Sequence, residues 1–216
     1  MYIAHLNGNL IASIDVETTG FTPGYHDVIQ VAVLILDSDL KPDKRVMPFY
    51  MEMKPKRIEN IDRDAMHITR LNLAHLVQRA VDPFDGADFF GDWFEKLKTQ
   101  TRTHPPLLPE GKKLIPLAQN WVFDRGFMID WLGELNFNYL FHPWYRDTLP
   151  VAQFLNDEYA SKPECASMSH KVPFPKSNLG YICSQLQVKN QKAHDALQDV
   201  IATAECYRRM VIGQRP

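Results

Sequence analysis

The chain has 216 residues, of which 45% are hydrophobic and 23% are charged, and its formal net charge at pH 7 is −2. These values are typical of a globular protein with a substantial core, and they exclude a protein that binds nucleic acid through an overall excess of basic residues. Any nucleic-acid partner would have to be attracted locally, by a basic patch or by bound metal ions.

Neither a disulfide framework nor a membrane segment is indicated. The cysteines, Cys165, Cys183 and Cys206, contain no C-x-x-C pair, which argues against a disulfide scaffold and a zinc knuckle and fits a reducing compartment. Residues 1–5 lack the basic segment and apolar stretch of a signal peptide. The longest apolar stretch, 28–36, is far shorter than the roughly 20 residues that a membrane-spanning helix needs. We therefore expect a cytoplasmic protein that does not associate with membranes.

The predicted elements, in chain order, begin with strands and continue with alternating helices and strands. Apolar and β-branched residues predict the strands 10–17, 28–36 and 49–53. Helical spacing then predicts helices over 61–66, 69–80 and 83–98. Beyond a polar, proline-containing segment we predict a strand 114–118, a helix 123–135, a strand 144–146 and helices over 148–159, 179–186 and 195–210.

This order of elements predicts an α/β fold. Its mixed five-stranded sheet would consist of an antiparallel meander followed by parallel strands, with helices packed on it. We expect a single domain over residues 1–216, because no internal repeat, low-complexity tract or interdomain linker interrupts the pattern. Two irregular segments, about 99–113 and 161–176, are expected to be loop insertions in that domain.

Two carboxylates, Asp15 and Glu17, lie at the end of the first predicted strand. Side chains at positions i and i+2 of a strand project from the same face, so these two acids point together. Like charges repel when they are buried side by side, and a protein that holds such a pair needs a positive partner between them. Hard divalent cations prefer oxygen ligands, so this pair predicts a metal site.

Further candidates stand later in the chain. Asp124 opens a helix directly after a strand, where the helix dipole favours a negative charge, so a plain capping role is the alternative. Asp199 lies on the last helix, on the same face as Thr203, and has no cation partner close by in the sequence. His194 lies just before that helix; for a single histidine, an ordinary surface or core position is the alternative.

These motifs, in this order, resemble those of the DnaQ-like 3′-to-5′ exonucleases, in detail the DEDDh subgroup of the ribonuclease H-like superfamily. The matching segments are Asp15-Val16-Glu17-Thr18-Thr19-Gly20, Asn120-Trp121-Val122-Phe123-Asp124 and His194-Asp195-Ala196-Leu197-Gln198-Asp199. The segments 66–69 and 147–149 are similar to the family's H-G-I-T and D-T-L segments, and Gln119 stands where the family often has His.

The resemblance implies hydrolysis of phosphodiester bonds at the 3′ end of single-stranded nucleic acid, for which we expect DNA, with release of nucleoside 5′-monophosphates. It implies two divalent cations, Mg²⁺ or Mn²⁺, held by Asp15, Glu17, Asp124 and Asp199, with Asp15 shared between them. It also implies that His194 is the general base that takes a proton from the attacking water, a task that suits an imidazole with a pKa of about 6.5.

The resemblance also implies contacts with the substrate. Thr18 and Thr19 would meet the terminal nucleotide and its free 3′-OH. Phe21 and Ile68 would cover the last base with apolar surface, a contact that tolerates any base, with core packing as the alternative for each. Asn120 would position a phosphate or fix the loop near Asp124.

Two other functions stay open. A 3′-to-5′ exoribonuclease or oligoribonuclease would use the same residues, because nothing in the sequence visibly accepts or rejects a 2′-OH. A non-catalytic nucleic-acid-binding module on the same fold is the alternative of another class, although all the positions expected of an active enzyme are occupied. A proofreading role would require a polymerase or another protein partner.

Overall fold

The computed structural model describes residues 6–99, 105–162 and 172–213. Its strands are β1 (Leu10–Thr18), β2 (Val28–Ile35), β3 (Phe49–Glu52), β4 (Leu114–Ala118) and β5 (Arg146–Asp147). Its helices are α1 (Arg63–Thr69), α2 (Leu73–Arg79), α3 (Pro83–Lys98), α4 (Trp121–Leu132), α5 (Glu134–Leu140), α6 (Thr148–Ala160), α7 (Leu179–Gln185) and α8 (Ala196–Ile212). None of the helices in these ranges combines the length and the apolar character that crossing a membrane requires.

The strands of the described ranges form one five-stranded sheet in the order β3-β2-β1-β4-β5. The pairs β1–β2 and β2–β3 are antiparallel, whereas β4 pairs with β1, and β5 with β4, in parallel. This arrangement confirms the predicted mixed sheet. β1 lies in the middle of the sheet, so the strand that carries the two acids has a neighbouring strand on each side. A register shift between Glu17 and Thr18 ends the regular pairing with β2 immediately after the second acid.

The two faces of β1 have different neighbours. The even-numbered residues Ala12, Ile14 and Val16 belong to a core with side chains of α3, α4 and α5. Ile11, on the opposite face, packs in a second core with residues of α8, and the Ser13 hydroxyl donates a 2.9 Å hydrogen bond to the carbonyl of Val200 in that helix. Since side chains alternate along a strand, Asp15 and Glu17 share the face that α8 covers.

The predicted helix 123–135 is wrong in its extent. The chain instead forms α4 and α5, which meet at Gly133. This glycine has φ 75° and ψ 149°, a backbone conformation that breaks a helix and that side-chain-bearing residues rarely adopt. The apolar spacing continues across the break, because Phe137 of α5 stacks against Trp121 of α4 with ring centroids 6.2 Å apart. Because of this continuity, periodicity alone does not reveal where α4 ends.

Several predicted boundaries are displaced by local capping. α1 begins after Asp62, whose carboxylate accepts hydrogen bonds from Asp64 and Ala65, and it ends where Arg70 adopts a left-handed conformation with φ 57°. α2 begins after Asn72, which accepts a hydrogen bond from the backbone of His75. The helix predicted over 61–66 therefore lies further along the chain than expected, and the helix predicted over 69–80 begins later and is shorter. β5 is likewise displaced from the predicted 144–146.

The two expected loop insertions lie partly outside the described residues. The described end of the first, 105–113, folds back onto the body of the protein: Leu108 is fully buried, and its backbone N–H donates a 2.9 Å hydrogen bond to Leu97 of α3. In the second, the amide of Asn156 in α6 pairs with both the N–H and the carbonyl of Phe174, each at 2.9 Å. The first segment is thus tied to α3 and the second to α6.

Candidate active site

The two acids of β1 lie toward the C-terminal end of this strand, on the face of the sheet that α8 covers. Glu17 is only 9% exposed. Burial raises the pKa of Glu17 to about 8, and the charges of Asp199 and Asp195 add to this shift. Burial also raises the pKa of Asp15 well above its usual range, with further contributions from Asp124, Glu17 and Asp199. The four predicted acids therefore act on one another electrostatically, as expected of a single centre.

Asp124 lies in the first turn of α4 and is 3% exposed. Its Oδ1 atom accepts a 3.1 Å hydrogen bond from the backbone N–H of Val16, which lies between the two acids of β1. Burial raises the pKa of Asp124 well above its usual range, and the charges of Asp147 and Glu17 act in the same direction. Asp124 is thus joined to the acid-bearing strand as well as placed at a helix start.

Asp199 lies in the first turn of α8, and its carboxylate accepts hydrogen bonds from the segment that precedes this helix. The side chain of Asn190 donates a 2.6 Å hydrogen bond to one carboxylate oxygen, and the backbone N–H of His194 donates a 3.0 Å bond to the other. Burial raises the pKa of Asp199 despite these two bonds. His194 itself is exposed and adopts φ 65°, while the neighbouring Asp195 caps the helix by accepting from Gln198.

These residues fit a divalent cation. Glu17, His194 and Asp199 each offer one ligand atom, and these three atoms lie within 4.8 Å of one another. Within the described residues, none of the salt bridges to lysine, arginine or histidine involves Asp15, Glu17, Asp124 or Asp199. Buried carboxylates that repel one another and lack a cationic side chain are the donor set that Mg²⁺ or Mn²⁺ would neutralise.

Internal hydrogen bonds hold the turn after Glu17. The Thr18 hydroxyl donates to the carbonyl of Gly20 at 2.5 Å, and the Thr19 hydroxyl accepts a 2.9 Å bond from the backbone of Asp27. Both threonine side chains are buried, so their hydroxyls have partners inside the protein. Gly20 is required here, because a Cβ atom would lie 2.1 Å from Cδ2 of His26.

The other predicted substrate contacts face outward. Phe21 is 56% exposed and Ile68 is 43% exposed, so neither packs in the core, which was the alternative for both. Asn120 is also exposed. Its backbone has φ 70°, and its side chain makes no capping bond to α4. The exposed side chains of Phe21 and Ile68 are therefore free to meet a ligand.

Two residues with clear roles were not predicted as site residues. The carboxylate of Asp147 accepts backbone hydrogen bonds from Asn120 at 3.1 Å, Trp121 at 2.7 Å and Leu149 at 2.9 Å. It thereby holds the start of α4, which carries Asp124, beside the end of β5. The second is Asn190, the donor to Asp199. An acid directly after a strand could have indicated Asp147, whereas Asn190 lies in a segment without periodicity.

Comparisons with known proteins identify the family. The protein-family model described as an exonuclease, RNase_T, matches residues 12–207. The chain belongs to the RNase_T exonuclease family. The matched range contains all four acids and His194, and it confirms the resemblance to the DnaQ-like exonucleases. A search of curated protein sequences finds no significant match.

Solved structures of several nucleases share the fold. The zinc-bound complex of E. coli ExoI with ssDNA aligns with a TM-score of 0.67 and 18% identity over 96% of this chain and 41% of that chain. Cell-death related nuclease 4 aligns with a TM-score of 0.64 and 18% identity over 95% of this chain and 64% of that chain. The nuclease domain of 3′hExo, a DEDDh family member bound to rAMP, aligns with a TM-score of 0.61 and 15% identity over 94% of this chain and 92% of that chain.

At these identities the likeness confirms the ribonuclease H-like fold. This chain spans 41% of the length of the ExoI chain in the ssDNA complex.

Proposed function

We propose that this protein is a metal-dependent 3′-to-5′ exonuclease that shortens single-stranded nucleic acid and releases nucleoside 5′-monophosphates. The observation that carries the proposal is the meeting of Glu17 of β1 and Asp199 of α8 with His194, whose ligand atom lies within 4.8 Å of theirs. Asp124 of α4 is joined to the same strand through its hydrogen bond with Val16. Membership of the RNase_T exonuclease family supports the same conclusion.

The four acids would hold two divalent cations. Asp15, Glu17 and Asp199 would bind the first, with Asp15 shared, and Asp124 would bind the second. When bound, such cations make water a stronger nucleophile and stabilise negative charge on the leaving oxygen. The chain's part is to bring the carboxylates together and to screen them largely from bulk water. Burial raises their pKa values and so favours their protonated forms, and a bound cation would favour the deprotonated forms instead.

His194 would act as general base. The backbone of His194 is fixed to Asp199, while its imidazole is exposed beside Glu17 and Asp199. The imidazole would take a proton from the water whose oxygen attacks the phosphorus, and would pass it to solvent. The bond between phosphorus and the 3′ oxygen of the preceding nucleotide breaks, and that oxygen ends as a hydroxyl after taking up a proton. The released nucleotide keeps its 5′-phosphate.

Phe21 and Ile68 would cover the terminal base. Apolar contact with a base face tolerates every base, so we expect little sequence preference. The hydrogen-bonded turn of Thr18 and Thr19, adjacent to Glu17, would form the floor beneath the terminal sugar. We propose DNA as the substrate, and the solved complexes of ExoI with oligonucleotides such as dA16 and dT13 agree with this choice.

RNA is the second candidate. The nuclease domain of 3′hExo, solved with bound rAMP, has the same fold and nearly the same extent as this chain. An exoribonuclease would use the same acids and His194, and would differ only in accepting a 2′-OH at the terminal sugar.

The test is the digestion of matched DNA and RNA oligonucleotides with Mg²⁺ or Mn²⁺. With a 5′ label, we expect a ladder of progressively shorter products; with a 3′ label, the mononucleotide should be released at once. Asp15→Asn should be folded and inactive. Internal cleavage, removal from the 5′ end, or binding without cleavage by wild-type protein would each overturn the proposal. The rates on the two oligonucleotides decide between DNA and RNA.

A further inference from the structure

A buried glutamine lies next to the proposed metal centre. Gln30 of β2 is 1% exposed and stands directly opposite Glu17 in the β1–β2 register. Its Oε1 atom accepts a 2.7 Å hydrogen bond from the backbone N–H of Ala196, the first residue of α8. Its Nε2 atom donates to the Tyr50 hydroxyl at 2.9 Å and lies 3.4 Å from a carboxylate oxygen of Glu52.

The bond to Ala196 fixes the first turn of a catalytic helix. The first backbone N–H groups of a helix have no partner within the helix, and a buried one must find a partner elsewhere. Asp195 satisfies the N–H of Gln198, and Gln30 satisfies that of Ala196. The same turn contains Asp199. Gln30 therefore joins β2, at the position opposite Glu17, to α8, which carries Asp199.

An amide suits this position better than a carboxylate. The group must accept from Ala196 on one side and donate to Tyr50 and Glu52 on the other, which an amide does and a carboxylate cannot. The hydroxyl of Tyr50 in turn donates to Glu52 at 3.3 Å. A carboxylate at residue 30 would add a negative charge beside Glu17 and Glu52, where the four metal-binding acids already repel one another.

We propose that Gln30 is a positioning residue of the nuclease centre: its amide holds the first turn of α8 against β2, so that Asp199 and His194 face Glu17. This inference rests on the proposed function. It predicts that changes at Gln30 alter metal affinity and kcat, whereas a residue that only stabilises the fold would alter the unfolding temperature alone.

The experiment compares four variants: Gln30→Met, Gln30→Glu, Glu52→Gln and the double variant Gln30→Glu/Glu52→Gln. Gln30→Met keeps the length of the side chain and removes its hydrogen bonds to Ala196, Tyr50 and Glu52. In the double variant, residue 30 accepts from Ala196 and Tyr50, and the new amide at residue 52 donates to residue 30. The exchange thus restores the network with the same total charge.

The readouts are Mn²⁺ affinity by calorimetry, kcat and KM on a single-stranded oligonucleotide, and the unfolding temperature. We expect Gln30→Met and Gln30→Glu to weaken Mn²⁺ binding and lower kcat by about tenfold or more, in the range seen when the residues that orient metal ligands are changed. KM should change little. The double variant should recover most of the loss in Gln30→Glu.

Asn156→Leu is the matched control, because the Asn156 amide also makes two hydrogen bonds of 2.9 Å, to Phe174, away from the acids. It should lower the unfolding temperature and leave Mn²⁺ affinity and kcat unchanged. If Gln30→Met behaves like this control, or if the double variant is as impaired as Gln30→Glu, the inference is wrong. If wild-type protein itself shows no metal-dependent exonuclease activity, the proposed function has failed instead.

Discussion

The backbone N–H of Val16 donates a hydrogen bond of 3.1 Å to Oδ1 of Asp124. This bond links the strand position between Asp15 and Glu17 to the first turn of α4, which is 108 residues further along the chain. The contact fixes Asp124 relative to the two acids of β1.

Asp124→Asn should abolish activity while keeping the fold. The amide oxygen of Asn still accepts from Val16, so the link to β1 survives, but the negative charge that a cation needs is lost. We expect kcat to fall by roughly 100-fold or more, which is a larger effect than that of changing a residue that only orients a metal ligand. In metal-free buffer the unfolding temperature should stay the same or rise. Burial makes the ionised carboxylate of Asp124 unfavourable in the folded protein, and Asn carries no charge.

Asp85→Asn is the control for this substitution, since Asp85 also lies in the first turn of a helix, α3, but is exposed and outside the acidic group. It should leave kcat unchanged. Comparable loss of activity in both variants would show that the effect is not specific to Asp124.

The metal-free protein should lose stability as the pH rises. Burial raises the pKa of Glu17 from 4.5 to about 8. Between these values the folded state holds a proton that the unfolded state has released, so this contribution to stability is complete below pH 4.5 and is lost as the pH approaches 8. Asp15, Asp124 and Asp199 have raised pKa values and act in the same direction.

The measurement is denaturant unfolding in EDTA from about pH 5 to about pH 9, for wild type and Glu17→Gln. The variant should show a shallower decline. Adding Mn²⁺ at the high end of this range should restore stability to wild type, because a cation binds the deprotonated acids of the folded state. A wild-type free energy of unfolding that increases with pH across this range would contradict the argument.

The acids of the centre could be predicted because their strand and helix contexts are local. Asp15 and Glu17 end an apolar run, and period-two alternation alone puts them on one face. Their convergence with Asp124 and Asp199 could not be derived from periodicity, because it depends on a parallel pairing of β1 with β4 and on α8 covering one face of the sheet. The family resemblance supplied that step.

Other features were beyond prediction for physical reasons. The break at Gly133 is masked by apolar residues that continue on both sides of it, since α4 and α5 pack on the same core. Asn190 bonds to Asp199 from a segment with no repeating pattern, and the bonds of Gln30 join three elements that are distant in the sequence. Such contacts depend on tertiary structure, which local propensity does not encode.

Gly20→Ala should distort the turn after Glu17. The new Cβ atom would lie 2.1 Å from Cδ2 of the buried His26, so the ring or the turn must move. We expect a loss of stability of about 1–3 kcal/mol, typical of overpacking, and a higher KM because Thr18 and Thr19 shift. Gly91→Ala is the control: Gly91 is in α3 with nothing within 4 Å of the added atom, so stability should rise by up to about 1 kcal/mol. Equal unfolding temperatures for the two variants would refute the role of His26.

Phe21→Ala should weaken binding of the substrate strand. Phe21 is 56% exposed and directly follows Gly20, so its ring is available to a base rather than to the core. Contact between an aromatic ring and a base contributes about 1–3 kcal/mol, which corresponds to a rise in KM of about 5-fold to about 150-fold. The unfolding temperature should change little, because an exposed ring contributes little to folding.

Phe89→Ala provides the comparison, since Phe89 is 51% exposed on α3, outside the acidic group. The KM and kcat of Phe89→Ala on a single-stranded oligonucleotide should equal those of wild type. The two variants remove the same side chain at similar exposure, so a higher KM in Phe21→Ala alone places the contact beside the acids. An unchanged KM in Phe21→Ala would mean that the terminal base does not rest on this ring, and Ile68 would then be the remaining apolar contact to test by the same assay.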